Sequence, residues 1–220
     1  FSYFKPAGDN TADRVAMIEK AVDEGYNVIV MPGYAFGGAI VEAAPEFPDV
    51  KFIALDVAKG DLLEAGVAKA GESYDYNPDN WDLEKYVDMS NVYCAIYQEE
   101  LCGYMAGYAA VKLGYKSLGF LGGMAVPAVI RYGYGFVQGV DAAAADLGLS
   151  DVTVKYVYGG QFFGDADITA VMDTWYANGT EVVFACGGGI YTSAVDAAKK
   201  VGAKVIGVDV DQAGVIAKYA

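Results

Sequence analysis

The chain reads as an α/β protein built on parallel sheets. Three observations carry that reading: apolar runs of strand length, segments of helical period between them, and glycines or turn formers where one gives way to the other. The apolar runs fall at 1–4, 28–31, 52–55, 92–97, 117–121, 152–157, 182–185 and 205–208. Strands flanked by helices on both faces are buried on both sides, so a continuously apolar run such as VVFA at 182–185 is admissible. At 220 residues the chain exceeds one typical domain of about 100–150 residues, and two lobes are expected.

Taken in order, Val15, Ile18 and Val22 repeat at helical spacing after the capping candidates Asn10 and Thr11, and Gly25 offers a stop, which makes a first βαβ unit. The stretch 59–90 has room for a short helix over 62–70, but its segment GESYDYNPDNWD is rich in turn formers and acids. A loop of that length is often functional, so a lid and a surface decoration both stand open. A helix over 100–113 ends at Gly114, and the passage between lobes is placed after it, giving lobes at 1–115 and 116–220. The glycines of GYGFVQG fall inside the next helix, where they lower propensity by about 1 kcal/mol each and are expected to permit close packing against the sheet. A further helix over 190–201 stops at Gly202.

Composition excludes several function classes. Fifteen basic against 29 acidic residues leave a net charge of −14, which disfavours nucleic acid and anionic lipid as partners. Histidine is absent, removing the commonest general base and neutral metal ligand. Cys94, Cys102 and Cys186 match neither an even disulfide framework nor a CxxC knuckle, so neither a metal site nor a cofactor is expected. The apolar runs fall far short of the ~20 residues that a membrane-spanning helix needs. The opening FSYFKP reads as a strand already under way, so a preceding segment is expected.

In parallel α/β sheets, ligands sit beyond the carboxyl ends of the strands. Here those ends read MPGYAFGG, LDV, GGMAVP, ACGGGIYTS and VDVDQ. Gly33, Gly122, Gly123, Gly187, Gly188 and Gly189 would let backbone approach a ligand, although βα turns need glycine anyway. Neither a Walker A motif nor a GxGxxG spacing occurs. Asp56, Asp209 and Asp211 close apolar strands and would be costly there without a partner. Such a carboxylate can accept two hydrogen bonds from a ribose diol; Asp209 is preferred for that role, while Asp211 serves equally well as a helix cap. Phe36, Phe162 and Phe163 fall in loops and could stack on a flat heterocycle, a contact worth about 1–3 kcal/mol per base. No Ser-His-Asp set or activated nucleophile is visible around Ser193 or Cys186, and Asp209 with Asp211, two apart on one expected strand, is the remaining acid pair, so catalysis is not expected.

The segment LGFLGGMAVPAVIRYGYGFVQGVDAA at 118–143, with YQEELCGYMAG at 97–107, ACGGG at 185–189 and IGVDVDQ at 206–212, resembles the basic membrane protein (BMP) family, in family order over nearly the whole chain. The resemblance implies a type I periplasmic-binding-protein fold, two doubly wound parallel-sheet lobes with a hinge. It also implies an extracytoplasmic lipoprotein, anchored outside this segment, that delivers a purine nucleoside to an ABC transporter permease without chemistry. Some relatives resemble receptors for riboflavin or another heterocycle, and a nucleoside-acting hydrolase is the alternative from another class. The family's binding positions fall on Phe36 as stacking aromatic, Asp56 as strand-end acid, Phe163 as second aromatic before a Gly-Asp step, Gly187 and Gly188 as the glycine turn, and Asp209 as ribose-binding acid. Phe36 and Phe163 are thereby expected to sandwich the base from opposite lobes. The family's first strand with its ligand loop, and its C-terminal strand with a Lys, are expected to lie outside this segment.

Overall fold

The computed structural model describes residues 1–219, so Ala220, the last residue of the expected second lobe, lies outside them. The described chain forms two compact units, Phe1–Tyr97 and the part from Gln98 onward.

In the first unit, residues 1–6 form no strand, contrary to expectation, because no neighbouring strand pairs with them; Phe1 and Tyr3 are exposed, and Phe4 meets Tyr26 edge-on at 5.4 Å. Helix α1 (Thr11–Asp23) starts where the Asn10 side chain accepts from the Asp13 backbone N–H, as a capping residue should. Strand β1 (Val28–Pro32) leads through a 3-10 turn (Tyr34–Phe36) into helix α2 (Gly37–Ala43). Strand β2 (Lys51–Leu55) precedes helix α3 (Lys59–Lys69), and strand β3 (Val92–Ala95) completes a parallel sheet in the order β1-β2-β3. The buried Asn91 amide donates to the carbonyls of Ala44, Phe47 and Val50, locking the end of α2 to the start of β3. Between α3 and β3, the 72–90 excursion is neither bare loop nor long helix. It carries a 3-10 turn (Pro78–Asn80) and one helical turn, α4 (Leu83–Tyr86), around a cluster of Tyr74, Trp81 and Tyr86.

The second unit opens with helix α5 (Glu99–Lys112). It continues through strand β4 (Ser117–Gly122), helix α6 (Pro127–Leu147), strand β5 (Thr153–Tyr158), helix α7 (Ala166–Ala177), strand β6 (Val182–Cys186), helix α8 (Tyr191–Val201), strand β7 (Lys204–Ile206) and helix α9 (Ala213–Tyr219). The parallel strands lie in the order β5-β4-β6-β7, so the chain winds outward in both directions from β4. Alternate residues of the central strands feed two cores. Leu118, Phe120, Val182, Phe184 and Cys186 pack with residues of α5 and α6, whereas Leu121, Val183 and Ala185 pack with α7 and α8. Both faces being covered, β6 is buried at every position, which is why its sequence is apolar without alternation.

The boundary expected at 115/116 falls instead after Tyr97, because α5 packs on α6. The two helices meet backbone to backbone. A methyl carbon placed on Gly103 or Gly107 would overlap the carbonyls of Tyr132 and Phe136, and one on Gly135 or Gly139 would overlap those of Glu100 and Tyr104. Of the glycines in GYGFVQG, only Gly133 faces the sheet, against Tyr156 and Phe120; Gly135 and Gly139 face α5. Among the described residues no helix is long and apolar enough to cross a membrane.

Either Gly103→Ala or Gly135→Ala must force α5 and α6 apart, and overpacking of this kind costs about 1–3 kcal/mol or more. Exposed Gly148→Ala, at a left-handed position with open space around it, carries backbone strain without a clash and serves as the comparison. Chemical denaturation should show the Gly103 and Gly135 variants losing more stability than the Gly148 variant; equal losses would mean that the helices are not in direct contact.

Candidate functional site

The carboxyl edge of the first unit is knitted by the Gly33 N–H, which donates to the Leu55 carbonyl at 2.8 Å, and by the Asp56 N–H, which donates to Ala95 at 2.7 Å. These bonds bring the turn after β1 beside the ends of β2 and β3. Phe36 sits at the end of that turn, but its loop is not free of packing duty. The ring is half-buried against the first core, and the guanidinium of Arg14, itself paired with Asp9, lies 5.6 Å from its centroid. Asp56 has φ 62°, a left-handed conformation that few non-glycine residues adopt. Nearby, burial and the negative charges of Asp9 and Asp61 hold the Tyr34 phenol above its ordinary pKa, with a smaller push from Asp56 and an opposing pull from Arg14. The structure therefore brings Phe36 and Asp56 to one edge of this unit.

At the carboxyl edge of the second unit, the switch point between β4 and β6 is where a doubly wound sheet opens a crevice. Gly123 donates to the Cys186 carbonyl at 2.8 Å and Gly160 to the Gly123 carbonyl at 2.9 Å, tying the three strand ends together. Phe162 and Phe163, indistinguishable in sequence, separate here. Phe162 is packed against the core, and its ring fills the space that side chains on Gly123 and Gly187 would need. Phe163 is 61% exposed, its backbone bridged to Gly189 and its carbonyl accepting from Gln161 Nε2 at 3.1 Å, so its ring is open for stacking. Gly187 and Gly188, at φ 147° and 50°, make the turn that carries the chain from β6 to α8. The residue after this turn, Gly189, is bridged to Phe163, while the emptiness beside Gly123 and Gly187 serves Phe162.

Strand β7 ends at Ile206, earlier than expected, so Asp209 and Asp211 do not share a strand. Asp211 caps α9, its carboxylate accepting from the Ala213 N–H at 2.9 Å. Asp209 is different: it is exposed, has φ 64°, and stands at the centre of a three-residue turn closed by the Val210 N–H donating to the Val208 carbonyl at 2.9 Å. A γ-turn with positive φ is the rarer and more strained form. Its carboxylate accepts from the Tyr132 hydroxyl at 3.3 Å. Burial pushes the Cys186 thiol well above its ordinary pKa, with Asp209 and Glu99 adding to the shift, so the thiol stays protonated and is a poor nucleophile. Ser193 is also committed: its hydroxyl donates to the Asp165 carbonyl and accepts from the Asp165 N–H and the Thr169 hydroxyl, each at 3.0 Å.

Sequence reading missed two groups at this end. Tyr132 belongs to the Arg-aromatic step of the α6 motif, yet nothing local announces its bond to a residue 77 positions away. Beside it, Arg131 Nε donates to the buried Glu99 carboxylate at 2.7 Å, joining the first turns of α5 and α6. Arg131 Nη2 and Glu100 Oε2 are both buried without a hydrogen-bond partner.

Residues 2–219 match the Bmp family model, described as ABC transporter substrate-binding protein PnrA-like. The chain belongs to the Bmp family. It is 26% identical over 221 residues to the ABC transporter nucleoside-binding protein BmpA of Lactococcus lactis subsp. cremoris (strain MG1363), covering 96% of this chain and 53% of that protein. It is 24% identical to basic membrane protein B of Borreliella burgdorferi (strain ATCC 35210 / DSM 4680 / CIP 102532 / B31), covering 90% of this chain and 51% of that one. The chain thus spans about half the length of the curated relatives it matches. Among solved structures, an ABC transporter system solute-binding protein from Aeropyrum pernix K1 aligns with TM-score 0.61 at 18% identity, covering 89% of this chain and 48% of the other. The fold of this Bmp chain is that of type I periplasmic-binding proteins.

The positive φ at Asp209 yields a stability test that leaves ligand aside. Both Asp209→Ala and Asp209→Gly remove the carboxylate, but alanine pays roughly 1–2 kcal/mol for the left-handed backbone and glycine does not. Denaturant unfolding should find the alanine variant less stable than the glycine variant by about 1 kcal/mol. Equal stabilities would remove the strain from Asp209.

Proposed function

We propose that this chain forms the solute-binding part of an ABC importer outside the cytoplasmic membrane, working with a membrane permease and tethered by a lipid anchor outside the segment described. The solute on this reading is a purine nucleoside, bound and released unchanged. Family membership supports the coarse role, and a relative named as nucleoside-binding supports the ligand class. The observation that carries the reading is Asp209: an exposed carboxylate in a strained turn at a strand end, in the unit that also offers the open Phe163 ring. A carboxylate suits a vicinal diol and an aromatic ring suits a purine face. In the first unit the corresponding ligand groups are Phe36, its ring already backed by Arg14, and Asp56; in the second they are Phe163, Gly187, Gly188 and Asp209. The raised Cys186 thiol and the committed Ser193 hydroxyl supply no activated nucleophile, in keeping with binding rather than turnover.

Isothermal titration of the full-length protein with adenosine, guanosine, inosine and riboflavin tests the ligand class. Tight binding of riboflavin with none of the nucleosides would replace the purine reading by that of another flat heterocycle. Asp209→Ala should weaken nucleoside binding by about tenfold or more, a charged hydrogen bond being worth about 1.5–3 kcal/mol, and leave the free base nearly unaffected. Prolonged incubation with inosine or adenosine should release neither free base nor ammonia; turnover that scales with protein and is lost in Asp209→Asn would convert the receptor into a hydrolase or deaminase.

A further inference from the structure

Asp209 is exposed on a turn of three residues, a place where a short acid side chain would ordinarily sample several rotamers. Its carboxylate is instead met by the phenol of Tyr132 at 3.3 Å. Tyr132 is a well-held donor. Its ring stands edge-on to Phe184 at 6.0 Å, packed against the core, and its backbone carbonyl rests on Gly103 of α5, where no side chain would fit. Burial, reinforced by the charge of Asp209, raises the phenol pKa far above neutrality. The hydroxyl therefore stays protonated, and beside a carboxylate it can only donate.

We infer that Tyr132 is the positioning residue for Asp209, holding one carboxylate oxygen through its hydroxyl so that the remaining lone pairs are presented to a vicinal diol. This rests on the proposed role of Asp209 as a diol acceptor and adds to it the group that fixes the acceptor's direction. An ionised carboxylate has about four lone-pair sites. One is taken by Tyr132, and enough remain for two hydroxyl donors. A hydrogen-bonded acid loses less freedom when the ligand arrives, so the benefit falls on ligands that carry the diol and is withheld from those that lack it.

The test uses Tyr132→Phe, which keeps the ring, its contact with Phe184 and the helix, and deletes one oxygen. Full-length wild-type and variant proteins are titrated calorimetrically with inosine and with 2′,3′-dideoxyinosine, and the same variant is made on an Asp209→Asn background. Melting temperatures within a few degrees of wild type identify variants that fold. The expected result is a rise in Kd for inosine of about fivefold or more in Tyr132→Phe. The Kd for the dideoxy compound should not change, and no further loss should appear when Asp209 is already Asn. Equal weakening toward both ligands, or none toward either, overturns the positioning role while Asp209 keeps its own. Wild-type protein that fails to bind inosine, or that holds the two compounds equally, overturns the diol reading itself and the role of Tyr132 with it. A Tyr132→Phe protein that fails to fold would show the hydroxyl to be a fold-holding group and would likewise remove the positioning role.

Discussion

The direct backbone contact between α5 and α6 fixes what the second unit can present at its strand ends. Four glycines in two helices each forgo about 1 kcal/mol of helix propensity, a cost that only close packing can offset. In return the carbonyls of Tyr132 and Phe136 lie on Gly103 and Gly107, and those of Glu100 and Tyr104 on Gly135 and Gly139. Such proximity increases dispersion contact along the whole interface and leaves little room for sliding. Two consequences follow at the site end. The first turns of the two helices meet closely enough for Arg131 to reach the buried Glu99, and Tyr132 is located tightly enough for its hydroxyl to meet Asp209. An acid on an exposed turn is thus met by a side chain of α6 whose place is set by the packing of α6 on α5.

Buried ion pairs lose hydration that mutual attraction does not always restore. The Glu99–Arg131 pair is half of this kind: Glu99 is nearly sealed from solvent, whereas Arg131 keeps some exposure. Its two unsatisfied neighbours, Arg131 Nη2 and Glu100 Oε2, leave hydrogen-bonding capacity unused. The pair joins the starts of α5 and α6, and the glycine contacts supply the packing between them.

How much of this could be read from the sequence varied with the range of the interaction. Strands β1 to β7 all overlap apolar runs of the sequence, but only β4 and β6 are buried nearly throughout, so only there does burial on both faces account for the unbroken run. Helices α1 and α8 are legible because Asn10 and Gly202 mark their ends. The run at 1–4 has the composition of a strand but no neighbour to pair with, and a strand exists only through its neighbour. Phe162 and Phe163 had equal claims as loop aromatics; the three-dimensional arrangement of Gly123 and Gly187 made one a core plug and left the other exposed. The glycines of GYGFVQG stand out in the sequence with the sheet as their expected target, yet Gly135 and Gly139 face α5, since nothing in one helix says which neighbour its glycines face. Asp209 was picked out by its place after an apolar run, but its strained backbone and its bond to Tyr132 are properties of the folded chain.

Asp56 and Asp209 share a feature that sequence position alone does not explain: each unit places an aspartate in left-handed conformation beyond the end of one of its strands. Aspartate tolerates this region better than most residues, but glycine would hold it without strain. The surroundings point to the kind of solute that would gain from the acid. At the first unit's edge, Arg14 is committed to Asp9 and to the Phe36 ring, and burial raises the Tyr34 phenol with further pushes from Asp9, Asp61 and Asp56. At the second unit's edge, burial raises the Cys186 thiol, and Asp209 and Glu99 add to the shift. A phosphorylated solute approaching either edge would bring charge of the same sign as these carboxylates, and like charges repel. A neutral solute rich in hydroxyl donors meets no such penalty and finds acceptors waiting. On the proposed reading, the same acids that recognise the sugar hydroxyls therefore also exclude the nucleotide, and selectivity for the unphosphorylated form needs no separate device.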